Sequence, residues 1–428
     1  MSKAKIISAI DVGTSKITAI IASVSEETGK ISVVGACSVK STGIKKSQVV
    51  DIEEAISAIT KAVEGAERMA GSSIRSAFVS LGGIHIQSQN SKGVVAVSRP
   101  ESEIVPEDLE RVIEAARAIS LPSAKEIIHV IPREFKVDSQ EGVKDPLGMT
   151  GVRLESEAHI ITGSTTAMRN LAKCINEVGV EIDALVFSGL SASEAVLTET
   201  EKELGVCLVE IGGGTTSIAI FVDNSVAYSS VLPVGAKNIT NDLAIGLRVN
   251  LDAAEIVKIA LSDETKQKQI SSENEKGKKE IDLRKLGISE EVEKISNKTL
   301  TDGIMKPRLN EIFSLVGEEL TKSGYGGATP AGIVLSGGGA LTLGITDACK
   351  RTLSLPVRVA EPEGLTGLVD DISTTEFAVS QGLVLYGFKN SNLVTSSIPF
   401  DKFGKMFSRI PVKGTVNKTV DFIKSFLP

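Results

Sequence analysis

Two short segments, one near the start of the chain and one near its middle, constrain the fold most. Residues 9–21 read AIDVGTSKITAII and residues 208–221 read LVEIGGGTTSIAIF. Each runs as a β-branched strand, an acidic residue, a turn of Gly, Thr and Ser, and a second β-branched strand, which is a hairpin pattern. Asp11 and Glu210 hold matching places, so the echo predicts two related halves. A third glycine turn closes a strand at 331–339, AGIVLSGGG. It leads into ALTLGITDACKRTL, which reads as a helix entered from a Gly-rich loop.

Such turns suit a polyphosphate. Gly lets the backbone approach closely and take φ > 0, while Thr and Ser add hydroxyl donors. Two facing hairpins, one per half, can clamp a triphosphate between them. Asp11 is then placed to hold Mg²⁺ through waters, because Mg²⁺ sheds its water reluctantly. Glu210 is its counterpart across the cleft, and the pair are the candidate catalytic carboxylates that position metal and water. Gly337, Gly338 and Gly339 would cover the nucleoside. The sequence has no GxxxxGK[ST] loop, and Thr342 stands where a dinucleotide fingerprint needs Gly. Any one of these turns alone is an ordinary tight turn; the three together carry the nucleotide reading.

Composition narrows the class. With 428 residues the length prior is about three domains. Hydrophobic residues at 42 % and charged residues at 24 % match a well-packed soluble chain. Aromatics are only 4 % with no Trp, so the cores must be Ile, Val, Leu and Ala. A net charge of −7 argues against nucleic acid as the main partner. The four cysteines (Cys37, Cys174, Cys207, Cys349) stand singly. They form neither a zinc pattern nor a disulfide framework, and this fits a reducing compartment. The N-terminal residues lack a secretory pattern, and no apolar run is long enough to span a bilayer. The expectation is a cytosolic chain.

Helical spacing appears at 51–70, with Ile52, Ile56, Ile59 and Val63 on one face. Residues 106–119 open with Pro and acids in the first turn, a helix start. Helices are also predicted at 166–178 and 191–203. Residues 262–299 are polar throughout and read as a solvated helix pair or loop. From 390 the chain turns Ser/Asn-rich, as a linker does.

Beyond the linker, TVNKTVDFIKSFL at 415–427 places Val416, Val420, Ile423 and Phe426/Leu427 on one helical stripe, flanked by Phe422. Lys418 and Lys424 lie elsewhere on the wheel. Residues 402–428 carry six basic side chains against one acid, on a chain that is acidic as a whole. Thirteen residues make a helix of about 20 Å, too short for a hydrocarbon core of ~30 Å. Pattern alone leaves two options, a helix docked on the protein's own core or one lying in a membrane interface.

These motifs resemble the actin/Hsp70/sugar-kinase ATPase superfamily and, within it, the FtsA family of bacterial cell-division proteins. The resemblance covers nearly the whole chain. Its most specific block is HVIPREFKVDSQEGVKDPLGMTGVRLESEAHIITG at 129–163, followed by VFSGLSASEAVLTETEKELGVCLVEIGGGTT, LDAAEIVK, MKPRLNEIFSLVGEEL and GLTGLVDDISTTEFAVSQGLVLYG. The resemblance implies an α/β, two-lobed actin-like fold of four subdomains, with an FtsA-type inserted subdomain and a C-terminal amphipathic membrane helix. The first subdomain spans 1–83, completed by 163–195 and 377–389. The insert is 84–162. Residues 196–243 and 327–376 form the third subdomain and 244–326 the fourth. A linker at 390–414 leads to the membrane helix at 415–428.

By position, the resemblance assigns Asp11, Gly13, Thr14, Ser15 and Lys16 to a first phosphate loop. It assigns Glu210, Gly212, Gly213, Gly214, Thr215 and Thr216 to a second, and Gly337–Gly339 to an adenosine loop. Glu255 and Lys258 match positions that face the nucleoside; by spacing alone they are an exposed i, i+3 ion pair. The implied cofactors are ATP and Mg²⁺. The implied partners are a C-terminal peptide of FtsZ, other copies of this chain in a filament, anionic lipid and later division proteins. Lys306 and Arg308 in MKPRLNEIF are the basic donors for the acidic-apolar FtsZ peptide. The implied location is the cytoplasmic face of the membrane at the division site.

The sequence departs from the superfamily in two places. The second loop carries Glu210 and Ser217 where most relatives carry Asp. Residues Ser188, Gly189 and Leu190 stand where vigorous ATPases place a water-orienting Glu, with Glu194 out of register. Hydrolysis needs an attacking water held in line, so slow turnover is expected. The alternatives are a soluble sugar-kinase-like phosphotransferase, which has no use for the basic amphipathic tail, and an actin-like adaptor of pilus or secretion machinery, which the 129–163 block and MKPRLNEIF disfavour. A chaperone-type ATPase lacks its substrate-binding domain here.

Overall fold

The computed structural model describes residues 5–25, 27–98, 103–273, 279–288 and 294–390. The membrane-helix residues Val416, Lys418, Val420, Phe422, Ile423, Lys424, Phe426 and Leu427, with the linker after 390, lie outside the described residues.

The echo in the sequence becomes a repeated sheet. In the first lobe the strands Lys5–Val12, Lys16–Val24 and Ile31–Lys40 form an antiparallel meander. Ser76–Leu81 and then Glu181–Phe187 add in parallel on the Lys5–Val12 side. In the second lobe Val206–Ile211, Thr216–Val222 and Ser225–Leu232 make the same meander. Ile333–Ser336 and Val357–Val359 add in parallel on the corresponding side. Both lobes thus share one strand order, with each acid near the end of the first strand of its sheet. The Val206–Ile211 strand is buried at every residue, as its unbroken β-branched and apolar run requires of a strand covered on both faces.

Each lobe has its own apolar core. On the first, helix Ile52–Ala70 is capped by Asp51, whose side chain accepts from the Glu54 N–H at 3.0 Å. Its buried stripe is Ala55, Ala58, Ile59, Ala62, Val63 and Ala66. Ile52 and Ile56 are only partly buried. Small residues bring this helix close to the sheet: a Cβ at Gly65 would lie 2.3 Å from the Cys37 Sγ.

The insert is a four-stranded antiparallel sheet, ordered Gln87–Ala96, Arg153–Ser164, Lys125–Val137, Gln140–Val143. Helix Pro106–Arg117 covers it around a separate core that includes Leu109, Val112, Phe135 and Leu154. It hangs from the first lobe yet also touches the second through polar contacts. Ser88 Oγ donates to the Ser229 carbonyl at 2.6 Å, and the Ser229 N–H donates back to Ser88 Oγ at 3.0 Å. His159 is fully buried between Asn90 Oδ1 (2.6 Å) and Ser229 Oγ (3.0 Å).

Three local expectations need correction. Residues 262–299 are not simply solvated: helix Glu264–Ile270 is followed by a small three-stranded sheet, and Ile270, Ile281, Leu283 and Ile288 are buried. A few apolar residues spaced among Lys and Glu were enough to close a satellite core. The helix expected at 191–203 is two, Ser188–Val196 and Glu199–Leu204. The break comes from a capping box: Thr198 accepts from the Glu201 N–H at 3.2 Å while Glu201 Oε2 accepts from the Thr198 N–H at 2.9 Å. After Gly337–Gly339 the chain first makes a single 3₁₀ turn, Gly338–Leu341, and the helix Ile345–Leu353 starts only beyond Gly344 at φ 79°.

A candidate nucleotide site between the lobes

The two turns meet. Gly13 N–H donates to the Lys16 carbonyl at 3.1 Å, and Gly212 N–H donates to the Thr215 carbonyl at 2.9 Å. Both glycines stand two residues after their acid, so the lobes present the same tight turn to each other. A Cβ at Gly213 would lie 2.0 Å from Ser15 Oγ, and one at Gly214 2.9 Å from Thr14 Cγ2. Only glycine allows that approach. Lys237, at the start of helix Ala236–Leu247, crosses the gap to donate to the Thr14 carbonyl at 2.9 Å.

Beneath the turns lies a cavity of ≈ 460 Å³. Asp11, Gly13, Thr14, Ser15 and Lys16 line it from one lobe, and Glu210, Gly212, Gly213 and Thr215 from the other. Glu255, Lys258, Gly338 and Gly339 complete the far wall. Three residues singled out in the sequence do not line it. Thr216 is buried with its hydroxyl donating to the Val234 carbonyl at 2.9 Å. Gly214 serves the contact between turns. Gly337, at φ 82°, holds the loop against the second hairpin, where a Cβ would stand 2.6 Å from the Ile211 carbonyl oxygen and 2.7 Å from Glu210 Oε1.

The cavity floor is electrostatically strained. Glu210 is buried and Asp11 is half-buried. Burial raises the Asp11 pKa, opposed by the Ser80 hydroxyl that donates to Oδ1 at 2.7 Å and by the Lys16 charge. Burial and the neighbouring Asp11 push Glu210 up to about 8, opposed by a hydrogen bond from Ser217. Lys16 lies 3.2 Å from Glu376 and over the Phe377 ring, and burial lowers its pKa. Lys237 is lowered by burial too, with Glu255 working against it. Asp11 and Glu210 thus share one cleft with two ammoniums, Lys16 held by Glu376 and Lys237 influenced by Glu255.

At the other end Lys258 Nζ is 2.8 Å from Glu255 Oε2 and 3.0 Å from Thr240 Oγ1. The i, i+3 pair expected from spacing is present, but Lys258 is buried and the pair forms the cavity wall. Ile259 and Leu341, about half exposed, add an apolar slot beside it.

No motif in the sequence marks Ser47, Ser80, Lys237 or Glu376. Ser47 shows why. It sits with Lys46 at the tip of a two-residue hairpin, both at positive φ (57° and 49°). Asn-Gly is the usual signal for that turn, and Lys-Ser is not. The tip puts Ser47 Oγ 3.1 Å from Thr215 Oγ1 and 3.5 Å from Thr14 Oγ1, touching both phosphate turns. Ser188 borders the cavity with Oγ 3.1 Å from Ser217 Oγ, whereas Glu194 is directed to Lys389 and takes no part.

Lys306 and Arg308 stand apart from the cleft on helix Lys306–Ser323. Arg308 already makes a two-pronged pair with Asp242 (2.6 and 2.9 Å) and a second with Glu311 (2.6 Å), and Lys306 lies 3.6 Å from Asp302. Among the described residues there is no group of three or more His, Cys, Asp or Glu side chains able to hold a metal. No helix among them is long and apolar enough to cross a membrane.

Residues 83–162 match the family model "SHS2 domain inserted in FTSA", and residues 207–382 match "Cell division protein FtsA". The chain is 37 % identical over 409 residues to the cell division protein FtsA of Pseudomonas aeruginosa, covering 95 % of each chain. It is 37 % identical over 408 residues to that of Borreliella burgdorferi, again covering 95 % of both. Among solved structures, the PilM-PilN type IV pilus biogenesis complex superposes with a TM-score of 0.63 at 16 % identity, covering 89 % of this chain and 98 % of that one. At that identity the likeness concerns the fold alone. The mirrored glycine turns, the inserted sheet between them and full-length relatives at this identity agree: the chain belongs to the FtsA family of actin-like bacterial cell-division proteins.

Proposed function

We propose that the chain binds Mg–ATP between its lobes and uses it to assemble on the cytoplasmic face of the membrane, where it tethers FtsZ filaments and recruits later division proteins. One observation carries the nucleotide reading: two matching glycine turns, one from each lobe, abut over Asp11 and the buried Glu210. The residues fit the group. Asp11 and Glu210 would hold Mg²⁺ through waters, because Mg²⁺ sheds its own water reluctantly. The turn N–H groups of Gly13 and Gly212, with Lys16 and Lys237, would take the phosphates. Glu255, Lys258 and the Gly338–Gly339 loop would take the nucleoside, with Ile259 and Leu341 against the base. Bound Mg–ATP would bring a divalent cation to Asp11 and Glu210 and phosphate charge to Lys237 and Lys16. Closure then follows from the chain itself, because Lys237, Ser47 and Gly213 already draw the turns together.

Turnover in this reading is slow. Ser188 is too short to orient a water as a Glu would, and its hydroxyl is engaged with Ser217. A kcat below about 1 s⁻¹ is expected, at the low end of ordinary enzymes. The subdomain limits read from the sequence stand with this proposal, and so does the membrane role of 415–428. The test is titration calorimetry with Mg–ATP, run beside sedimentation with anionic vesicles. Saturable heat that disappears in Asp11→Ala supports the nucleotide site. Vesicle binding lost on removing residues 415–428 supports the tether, which many copies on one filament strengthen through effective concentration.

For FtsZ, the basic pair on helix Lys306–Ser323 is the proposed dock. Asp242 and Glu311 hold the Arg308 guanidinium in place, so an acidic peptide meets it pre-oriented and competes only with the more exposed Glu311. Arg308→Glu should abolish binding of an FtsZ C-terminal peptide; unchanged binding would remove the assignment.

A further inference from the structure

Next to the nucleotide cavity is a second, much smaller one, ≈ 10 Å³ of space open to a sphere the size of water. That is about the least that holds one molecule. Ser47, Ser80 and Val12 border both cavities, and His85 borders only the small one. His85 lies where the chain enters the insert. Its Nδ1 accepts from the Ser164 N–H at 3.3 Å, where the chain leaves it. Burial lowers the His85 pKa and favours the neutral ring. A neutral imidazole that accepts at Nδ1 carries its proton on Nε2. That Nε2 is buried and has no hydrogen-bond partner among the described residues, a costly state for a donor.

The opposite wall offers acceptors. Ser80 Oγ donates to Asp11 Oδ1 at 2.7 Å and accepts from the Val12 N–H at 2.9 Å, which leaves one lone pair open. Ser47 Oγ reaches the hydroxyls of Thr14 and Thr215. We propose that one ordered water fills this small cavity, accepts from His85 Nε2–H, and donates to Ser80 Oγ and Ser47 Oγ. His85 is then a positioning residue for Asp11. With both Ser80 lone pairs occupied by donors, its one proton is fixed on Asp11. The chain His85–water–Ser80–Asp11 ties the root of the insert to the cation side of the cleft. The Ser47 branch ties it to both phosphate turns. A shift of the insert on its two connections is thereby transmitted to the place where the phosphates are gripped.

The rival account is that the ring merely braces Ser164. Two conservative variants separate the accounts, because His85→Gln keeps a donor near the Nε2 position and His85→Asn keeps an acceptor near Nδ1. The full chain is used, and Mg–ATP affinity is measured by calorimetry; this arm rests on the nucleotide reading above. His85→Phe and His85→Asn should weaken affinity about fivefold, the scale of one water-mediated bond, while His85→Gln stays within about twofold. Recovery by Asn and not Gln overturns the proposal. A second arm needs no nucleotide: thermal unfolding of ligand-free His85→Gln and His85→Asn, each with and without Ser80→Ala. With the water shared, the loss in Ser80→Ala is larger in the His85→Gln background, which retains the bridge, than beside His85→Asn, which has already lost it. Equal losses in both backgrounds overturn the proposal. A wild type that gives no heat with Mg–ATP counts against the nucleotide site, and the ligand-free arm still decides the water. A high-resolution crystal structure with that cavity dry would overturn it independently.

Discussion

Glu210 is protonated at neutral pH in the ligand-free protein, because burial and Asp11 hold its pKa near 8. An unfolded chain ionises it near 4.3. The folded value is therefore raised, so the native state keeps a proton that the unfolded state releases, and stability falls as pH rises between the two values. Glu210→Gln mimics the protonated form. It should leave the melting temperature nearly unchanged at pH 4, where both states keep the proton, and raise it by several degrees at pH 9, since each unit of pKa difference corresponds to about 1.4 kcal/mol. Circular dichroism against pH checks this; equal gains at both values would place the effect elsewhere. Strain at the Ser47 tip is a second matter of single residues. Lys46 at φ 49° adopts a conformation that costs a non-glycine residue about 1 kcal/mol. Lys46→Gly should stabilise the fold by up to that amount, read from urea unfolding.

Packing of whole elements depends on small residues at chosen places. Helix Ile52–Ala70 lies so close to its sheet that Gly65→Ala would drive a methyl into Cys37. Overpacking of this kind costs about 1–3 kcal/mol, and denaturant unfolding should show that loss even though Ala favours a helix. The two phosphate turns obey the same rule between lobes. Gly213→Ala forces the Ser15 hydroxyl to swing aside and its Cβ to yield by a few tenths of an ångström, which disturbs the contact between the turns. The expected result is a loss of Mg–ATP affinity of at least about tenfold with little change in melting temperature, measured by calorimetry on a protein shown to be folded.

The lobes are joined across the molecule by the insert, and that junction is sensitive to acid. His129 accepts the Phe187 N–H at 3.0 Å and is held at about 4 by burial. His159, between insert and second lobe, is held at about 3 by burial, with Arg133 and His129 adding to the effect. Both values lie below the ordinary histidine value of about 6.5. The unfolded chain thus takes up protons that the native chain refuses. Stability is complete above about pH 6.5 and falls as pH drops toward 4. His159→Gln, which keeps hydrogen-bonding atoms without a titrating ring, should flatten that fall; an unchanged acid limb would show that the junction is not its source.

Local pattern alone made legible the duplicated hairpins, the acid at the end of each first strand, the glycines of the turns, and the helices at 51–70 and 106–119. These follow from local periodicity and from side chains that backbone geometry forbids, so they can be read without a partner segment. Ser47, Ser80, Lys237 and His85 were silent because nothing in their neighbours marks them; each matters through a contact made far away along the chain. Only folding brings Glu210, buried, up against Asp11, which raises its affinity for a proton. The tertiary structure alone turned a surface-looking Glu255–Lys258 pair into a cavity wall, and engaged Arg308 with Asp242. Burial and distance set those properties, and both exist only once distant parts of the chain have packed together.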